Sequence, residues 1–121
     1  MKKLLILGIV LLSLCGCSTS EKVESKSVTC NEKNEIIKEN KNAMLIDVRT
    51  KEEYDEDHIE KAVNIPYEEV VNTLATYGTI DFNTPIIVYC KSGGRSSMAA
   101  SSLVDAGYKN IYDLGAMSNC E

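Results

Sequence analysis

The chain of 121 residues holds a single histidine, His58, and that scarcity already narrows its chemistry. A Cys-His hydrolase would have to draw its base from a segment far from any candidate nucleophile. Positive charge is short as well: 13 Lys and Arg stand against 18 Asp and Glu, a formal net charge of -5. Nucleic acid, whose backbone is gripped by clustered Lys and Arg, is therefore excluded as a partner. No internal repeat is visible, and no motif for a metal, a nucleotide or a flavin, so the expectation is no cofactor and no metal. No apolar run reaches the ~20 residues that a spanning helix needs. What remains is 44% hydrophobic and 26% charged, the balance of an ordinary globular chain of one domain.

The longest apolar run, Leu4 to Leu14, follows Lys2 and Lys3 and precedes Gly16 and Cys17. Residues 1–16 read as a signal peptide. Its end, Leu14-Cys15-Gly16-Cys17, resembles the lipobox of bacterial lipoproteins. That resemblance implies lipidation of Cys17 and a place in the bacterial cell envelope, lipid-anchored to a membrane and extracytoplasmic. An uncleaved anchor and a redox or metal pair of Cys15 with Cys17 are the competing readings. Residues 17–26 are a polar tether and residues 27–121 the folded domain. Loss of Lys2 and Lys3 leaves 11 cations against 18 anions, a charge of -7. With Cys15 removed and Cys17 acylated, Cys30, Cys90 and Cys120 remain in a setting where disulfides form. Three is odd, so one thiol should stay free.

From Ser27 onward short apolar runs alternate with amphipathic stretches. Ser27 to Thr29 is a weak strand. Thr29 with Glu32 has capping-box spacing ahead of a helix over Asn31 to Glu39. Ala43 to Asp47 suits a buried strand, and Thr50 with Glu53 repeats the capping box before a helix to about Asp55. Val63 to Ile65 is a strand closed by Pro66. The spacing of Val70, Val71 and Leu74 predicts a helix over Tyr67 to Tyr77, stopped by Gly78. Pro85 to Tyr89, PIIVY, is the clearest strand. Ser96 to Ala106 reads as a helix ended by Gly107, and Ile111 to Leu114 as a last strand. This alternation argues for an α/β fold, a mostly parallel sheet with helices on both faces.

Cys90 stands where strand gives way to helix, followed by Lys91, Ser92, Gly93, Gly94, Arg95 and Ser96. Ligands of open parallel sheets bind beyond such strand ends. The glycines permit positive φ, so that successive N–H groups can turn inward around an anion, and the helix adds the positive end of its dipole. A thiol has an ordinary pKa of about 8.5, and such surroundings lower it, so the nucleophilic thiolate needs no separate base. The competing reading is a small buried core residue. His58 reads as a hydrogen-bonded structural residue near a helix end.

Cys90-Lys91-Ser92-Gly93-Gly94-Arg95 matches the C-x-x-G-x-R loop of the rhodanese family. Leu45 to Pro66, LIDVRTKEEYDEDHIEKAVNIP, is similar to its DVR-to-NIP segment, and Gly107 to Ala116 to its closing strand and turn. The resemblance covers nearly all of Ser27 to Glu121 and implies a five-stranded rhodanese-like sheet. It also implies a thiosulfate sulfurtransferase: Cys90 takes the sulfane sulfur of a small anionic donor as a persulfide and passes it to a thiol or cyanide acceptor. Residues 91–96 would then bind substrate, with Arg95 either attracting the anion or bracing the loop. Asp47 and Arg49 of the DVR motif would be structural support, and a monomer is the expectation. Relatives acting on phosphate or arsenate carry five residues between Cys and Arg; four here favour sulfur. A phosphatase or arsenate reductase, and a sulfur-binding or scaffold module without turnover, stay as alternatives.

Two departures stand out. Lys61 occupies a position where many relatives have glycine, and the chain has no tryptophan, with Cys120 near the place where relatives often end on one. In the implied fold Cys30 and Cys120 follow neighbouring parallel strands. A Cys30–Cys120 disulfide is therefore a candidate, against two reduced cysteines.

Overall fold

In the computed structural model, residues 22–121 are described, and the expected signal peptide, Cys15, Cys17 and the start of the tether lie outside them. Five strands form one sheet: β1 Lys26–Ser27, β2 Met44–Asp47, β3 Val63–Asn64, β4 Ile86–Cys90 and β5 Ile111–Ala116. Their order is β1-β5-β4-β2-β3 and every pairing among the described residues is parallel. Parallel neighbours require crossovers, and four α-helices supply most of them: α1 Cys30–Glu39, α2 Lys51–Glu56, α3 Val70–Leu74 and α4 Gly94–Asp105. The sheet is thus the five-stranded parallel α/β layer, with helices on both faces, that the resemblance implies.

The period of two along each strand sorts the core into two halves. Ile46, Val48, Ile86, Val88 and Cys90 pack with Val70 and Leu74 of α3 and Ala99, Ala100 and Leu103 of α4. Leu45, Ile87 and Tyr89 point the other way, against Ile36 and Ile37 of α1 and Tyr54 of α2. β4 is buried at all five positions, as a central strand covered on both faces must be. Burial of each large aliphatic side chain there contributes about 1.5–3 kcal/mol.

Both capping boxes form. Thr29 accepts from the Glu32 N–H while the Glu32 carboxylate accepts from the Thr29 N–H, and Thr50 and Glu53 do the same at α2. Most boundaries shift by a residue or two from the sequence expectation, and three of the shifts have a clear physical cause. The helix expected over Tyr67 to Tyr77 is a 3-10 turn, Tyr67–Glu69, followed by α3, which stops at Leu74. The Thr76 and Tyr77 N–H groups bond to carbonyls three residues back, and the Thr76 hydroxyl takes the Thr73 carbonyl at 2.7 Å, so the chain tightens out of the α-helix before Gly78. α4 begins at Gly94, not Ser96, because Gly93 at φ 104° turns the chain directly into it. β5 continues to Ala116 through Gly115 at φ 82°, beside a register shift in its pairing with β4.

Lys61, in the position where many relatives carry glycine, holds φ at 75°. The turn is left-handed here and absorbs a lysine in it, a strain of roughly 1–2 kcal/mol. None of the helices among the described residues is long and apolar enough to cross a membrane.

Candidate active site

β4 delivers Cys90 to the carboxyl edge of the sheet, and α4 begins four residues later. The intervening loop folds back over the sulfur. The Gly93 N–H donates to Cys90 Sγ at 3.0 Å and the Ser96 N–H donates to it at 3.3 Å. Ser96 is fully buried, and its hydroxyl proton has two acceptors in reach, the Gly93 carbonyl oxygen at 3.1 Å and the sulfur itself. Burial pushes the thiol pKa up and is the largest single influence on it. The Ser96 N–H and hydroxyl, with the N–H groups of Gly93 and Ser92, together outweigh burial, so the pKa lies below its ordinary value. Cys90 is 0% exposed. It lies at the end of an apolar core, yet its sulfur faces amides, which favour the thiolate form.

Gly93 makes this geometry possible. Its φ of 104° is one that side-chain-bearing residues rarely adopt, whereas a Cβ there would lie 4.0 Å from the Gly115 Cα, an ordinary contact. Backbone conformation, not space, is the constraint. Gly93→Ala should cost at least ~1–2 kcal/mol or twist the loop to escape that cost. Either route turns the Gly93 N–H from the sulfur, so the pH midpoint for alkylation of Cys90 by iodoacetamide should rise toward the ordinary thiol value. An unchanged midpoint would mean that this amide does not tune the thiol.

Arg95 falls in the first turn of α4 and reaches across to α2. Its Nη1 donates to Glu53 Oε1 at 2.7 Å and its Nη2 to Oε2 at 3.1 Å, a two-point clamp between guanidinium and carboxylate. Both partners are a little over a quarter exposed. The clamp braces the loop and leaves the guanidinium charge near the sulfur, where the Cys90 charge in turn helps keep Arg95 protonated. Arg95 holds the Glu53 carboxyl down to about 2, assisted by the Thr50 N–H.

A depressed carboxyl contributes stability that is complete above its unfolded value near 4.5 and is lost as pH falls through about 2. Glu53→Gln keeps the helix cap and removes the charge. Discounted for exposure, the expected cost is about 1 kcal/mol near neutrality. In urea titrations the gap from wild type should close as pH falls from 5 toward 2, and a gap independent of pH would contradict the ion pair's contribution.

The other expected residues lie elsewhere in the fold. Lys91 and Ser92 stand exposed at the rim of the loop, with Gly94. Asp47 and Arg49 form a buried ion pair, Nη2 to Oδ2 2.6 Å and Nε to Oδ1 2.9 Å, and Arg49 also donates to the Asp57 carbonyl at 2.6 Å. The Tyr89 hydroxyl completes this network, donating to Asp47 Oδ2 at 2.8 Å and accepting from the Ile59 N–H at 3.0 Å. Because Tyr89 and Cys90 are consecutive in β4, they face opposite sides of the sheet. The network therefore ties β2, β4 and the end of α2 together without touching the sulfur.

His58 stacks on Tyr54, ring centroids 3.7 Å apart, and its Nδ1 lies 2.9 Å from the Tyr54 carbonyl oxygen. None of its hydrogen bonds among the described residues reaches the loop, so it supplies no base. Cys30 and Cys120 are joined in a disulfide, Cα atoms 5.2 Å apart, and Cys90 is the free cysteine of the described residues. Among those residues no group of His, Cys, Asp and Glu could hold a metal ion. Two contributors escaped sequence reasoning: Glu53, visible there only as a helix cap, and Tyr89, visible only as a core residue.

Comparison with known proteins places this geometry. A family model described as a rhodanese-like domain matches residues 29–118. Thiosulfate sulfurtransferase PspE of Escherichia coli K12 is 36% identical over 74 residues, covering 61% of this chain and 70% of PspE. Adenylyltransferase and sulfurtransferase UBA4 of Meyerozyma guilliermondii is 34% identical over 80 residues, covering 62% of this chain but only 19% of that longer protein. Among solved structures, a rhodanese with anions from E. coli superposes with a TM-score of 0.60 at 35% identity, over 64% of this chain and 89% of the other.

Proposed function

The chain belongs to the rhodanese family, and on that premise we propose that it is a sulfurtransferase working through a persulfide on Cys90. One observation carries the reading: the free thiol receives two backbone N–H groups, from Gly93 and Ser96, and lies below its ordinary pKa. The thiolate attacks the outer sulfur of thiosulfate. A new S–S bond forms to Cys90, the old one breaks, and its electron pair leaves on sulfite. An acceptor thiolate or cyanide then attacks the terminal sulfur, and the pair of the breaking bond returns to Cys90. No general base is needed in either step, since both nucleophiles enter as anions.

The loop amides hold the sulfur while its charge rises and falls. Arg95, clamped by Glu53, acts as brace and as fixed positive charge, not as a direct ligand of the donor. The donor enters at the rim, where the exposed Lys91 offsets the acidic surface. The four residues between Cys90 and Arg95 close tightly around one sulfur atom, which favours a sulfane donor over phosphate.

Intact mass after incubation with thiosulfate tests the proposal. The expected result is a gain of one sulfur atom, removed by cyanide as thiocyanate over repeated cycles. A gain without turnover would make the protein a carrier. Hydrolysis of an aryl phosphate with no sulfur gain would overturn the proposal in favour of a phosphate enzyme.

A further inference from the structure

The Cys30–Cys120 disulfide has surroundings that the Cys90 chemistry does not use. Both half-cystines are partly exposed and line a cavity of about 370 Å³ bordered by Lys33, Asp57, Glu60 and Glu121. The two sulfurs sit in unlike electrostatic settings.

Cys30 is the first residue of α1. The capping box occupies the N–H groups of Thr29 and Glu32, and the Lys33 N–H opens the helical ladder on the Thr29 carbonyl. The Cys30 and Asn31 N–H groups are left at the positive end of the helix, where a negative charge is favoured. Lys33 lies one turn further along, on the same face. It is 7% exposed and its ammonium donates to Asn34 Oδ1 at 2.8 Å. Burial lowers the Lys33 pKa, opposed by the charge of Glu60. Lys33 lines the same cavity as Cys30 and is the cation that an anion released there would meet. Cys120 has the opposite setting: it ends a 3-10 turn, Met117–Cys120, and its neighbour in sequence is the carboxylate of Glu121.

We propose that this disulfide is a thiol-exchange site with a fixed direction, at which a small cationic thiol adds to Cys120 and Cys30 departs as the thiolate. The incoming thiolate forms an S–S bond to Cys120 Sγ as the Cys30–Cys120 bond breaks. Its electron pair goes to Cys30, which is reduced while the incoming sulfur is oxidised to the disulfide level. The better-stabilised thiolate is the better leaving group, so the helix terminus and Lys33 set the direction. The carboxylates of Asp57, Glu60 and Glu121 outnumber Lys33 around the cavity and favour an aminothiol over a carboxylated one.

The test uses the full chain carrying Cys90→Ser, with cysteamine as the thiol, an acid quench, alkylation with N-ethylmaleimide and peptide mass mapping. Cysteamine is expected on Cys120 and the maleimide on Cys30, in at least tenfold excess over the reverse pattern. Lys33→Gln should slow the exchange severalfold and Lys33→Arg should preserve it. Mercaptoacetate at equal thiolate concentration and low salt should react severalfold more slowly. Cysteamine on Cys30, an even distribution, or no adduct under conditions that open oxidised glutathione would each overturn the proposal.

Discussion

Cys90→Ser is expected to remove sulfur loading altogether and to lower turnover of thiosulfate with cyanide by at least about a thousandfold, since the loop holds no other thiol. The substitution is close to isosteric, and the N–H groups of Gly93 and Ser96 that meet the sulfur can meet a hydroxyl oxygen instead. The fold should therefore survive, which a thermal melt within a few degrees of wild type would establish. A serine alkoxide is inaccessible at neutral pH and forms no persulfide, so loss of activity with the melt retained isolates the chemistry. Residual sulfur gain in the folded variant would move the acceptor position to another residue and remove the basis of the mechanism.

The second large effect is on stability. Cys30→Ser combined with Cys120→Ser opens a link between residues 90 apart in sequence. On the chain-entropy account, closing a loop of that size stabilises by about 4–5 kcal/mol, within a usual range of roughly 2–5. For a domain of this size each kcal/mol is worth about 4–8 °C, so the melting temperature should fall by roughly 15 °C or more. At temperatures where the variant stays folded, sulfur loading should persist, because the Cys90 loop is built by β4 and α4 and not by the linked segments. A fall of only a few degrees would mean that the reduced, unfolded chain is already held compact near its ends.

What the sequence made legible was local. Thr29 with Glu32 and Thr50 with Glu53 marked two helix starts, and both caps form because the bonds involved span three residues. The run PIIVY marked the central strand, and the glycines after Cys90 marked an anion-holding turn. The clamp of Arg95 on Glu53 joins residues 42 apart, and so does the bond from the Tyr89 hydroxyl to Asp47. No spacing rule reports such pairs, so the sequence leaves bracing and anion binding equal for Arg95, whose side chain is directed at Glu53. The break in the Tyr67 to Tyr77 helix had the same origin: apolar spacing continued, but Thr76 turned its hydroxyl onto the backbone. The sequence pattern sets the start of α4 two residues late, because a glycine with positive φ can open a helix without a side-chain cap.

The complete enclosure of Cys90 has a consequence for its durability. Thiolates are the form that peroxide converts to sulfenic and then to irreversibly oxidised acids, and susceptibility follows both ionisation and access. The amides draw Cys90 toward its reactive form while burial keeps it from solvent, so its oxidation by peroxide should be slower than that of an exposed thiol of equal pKa.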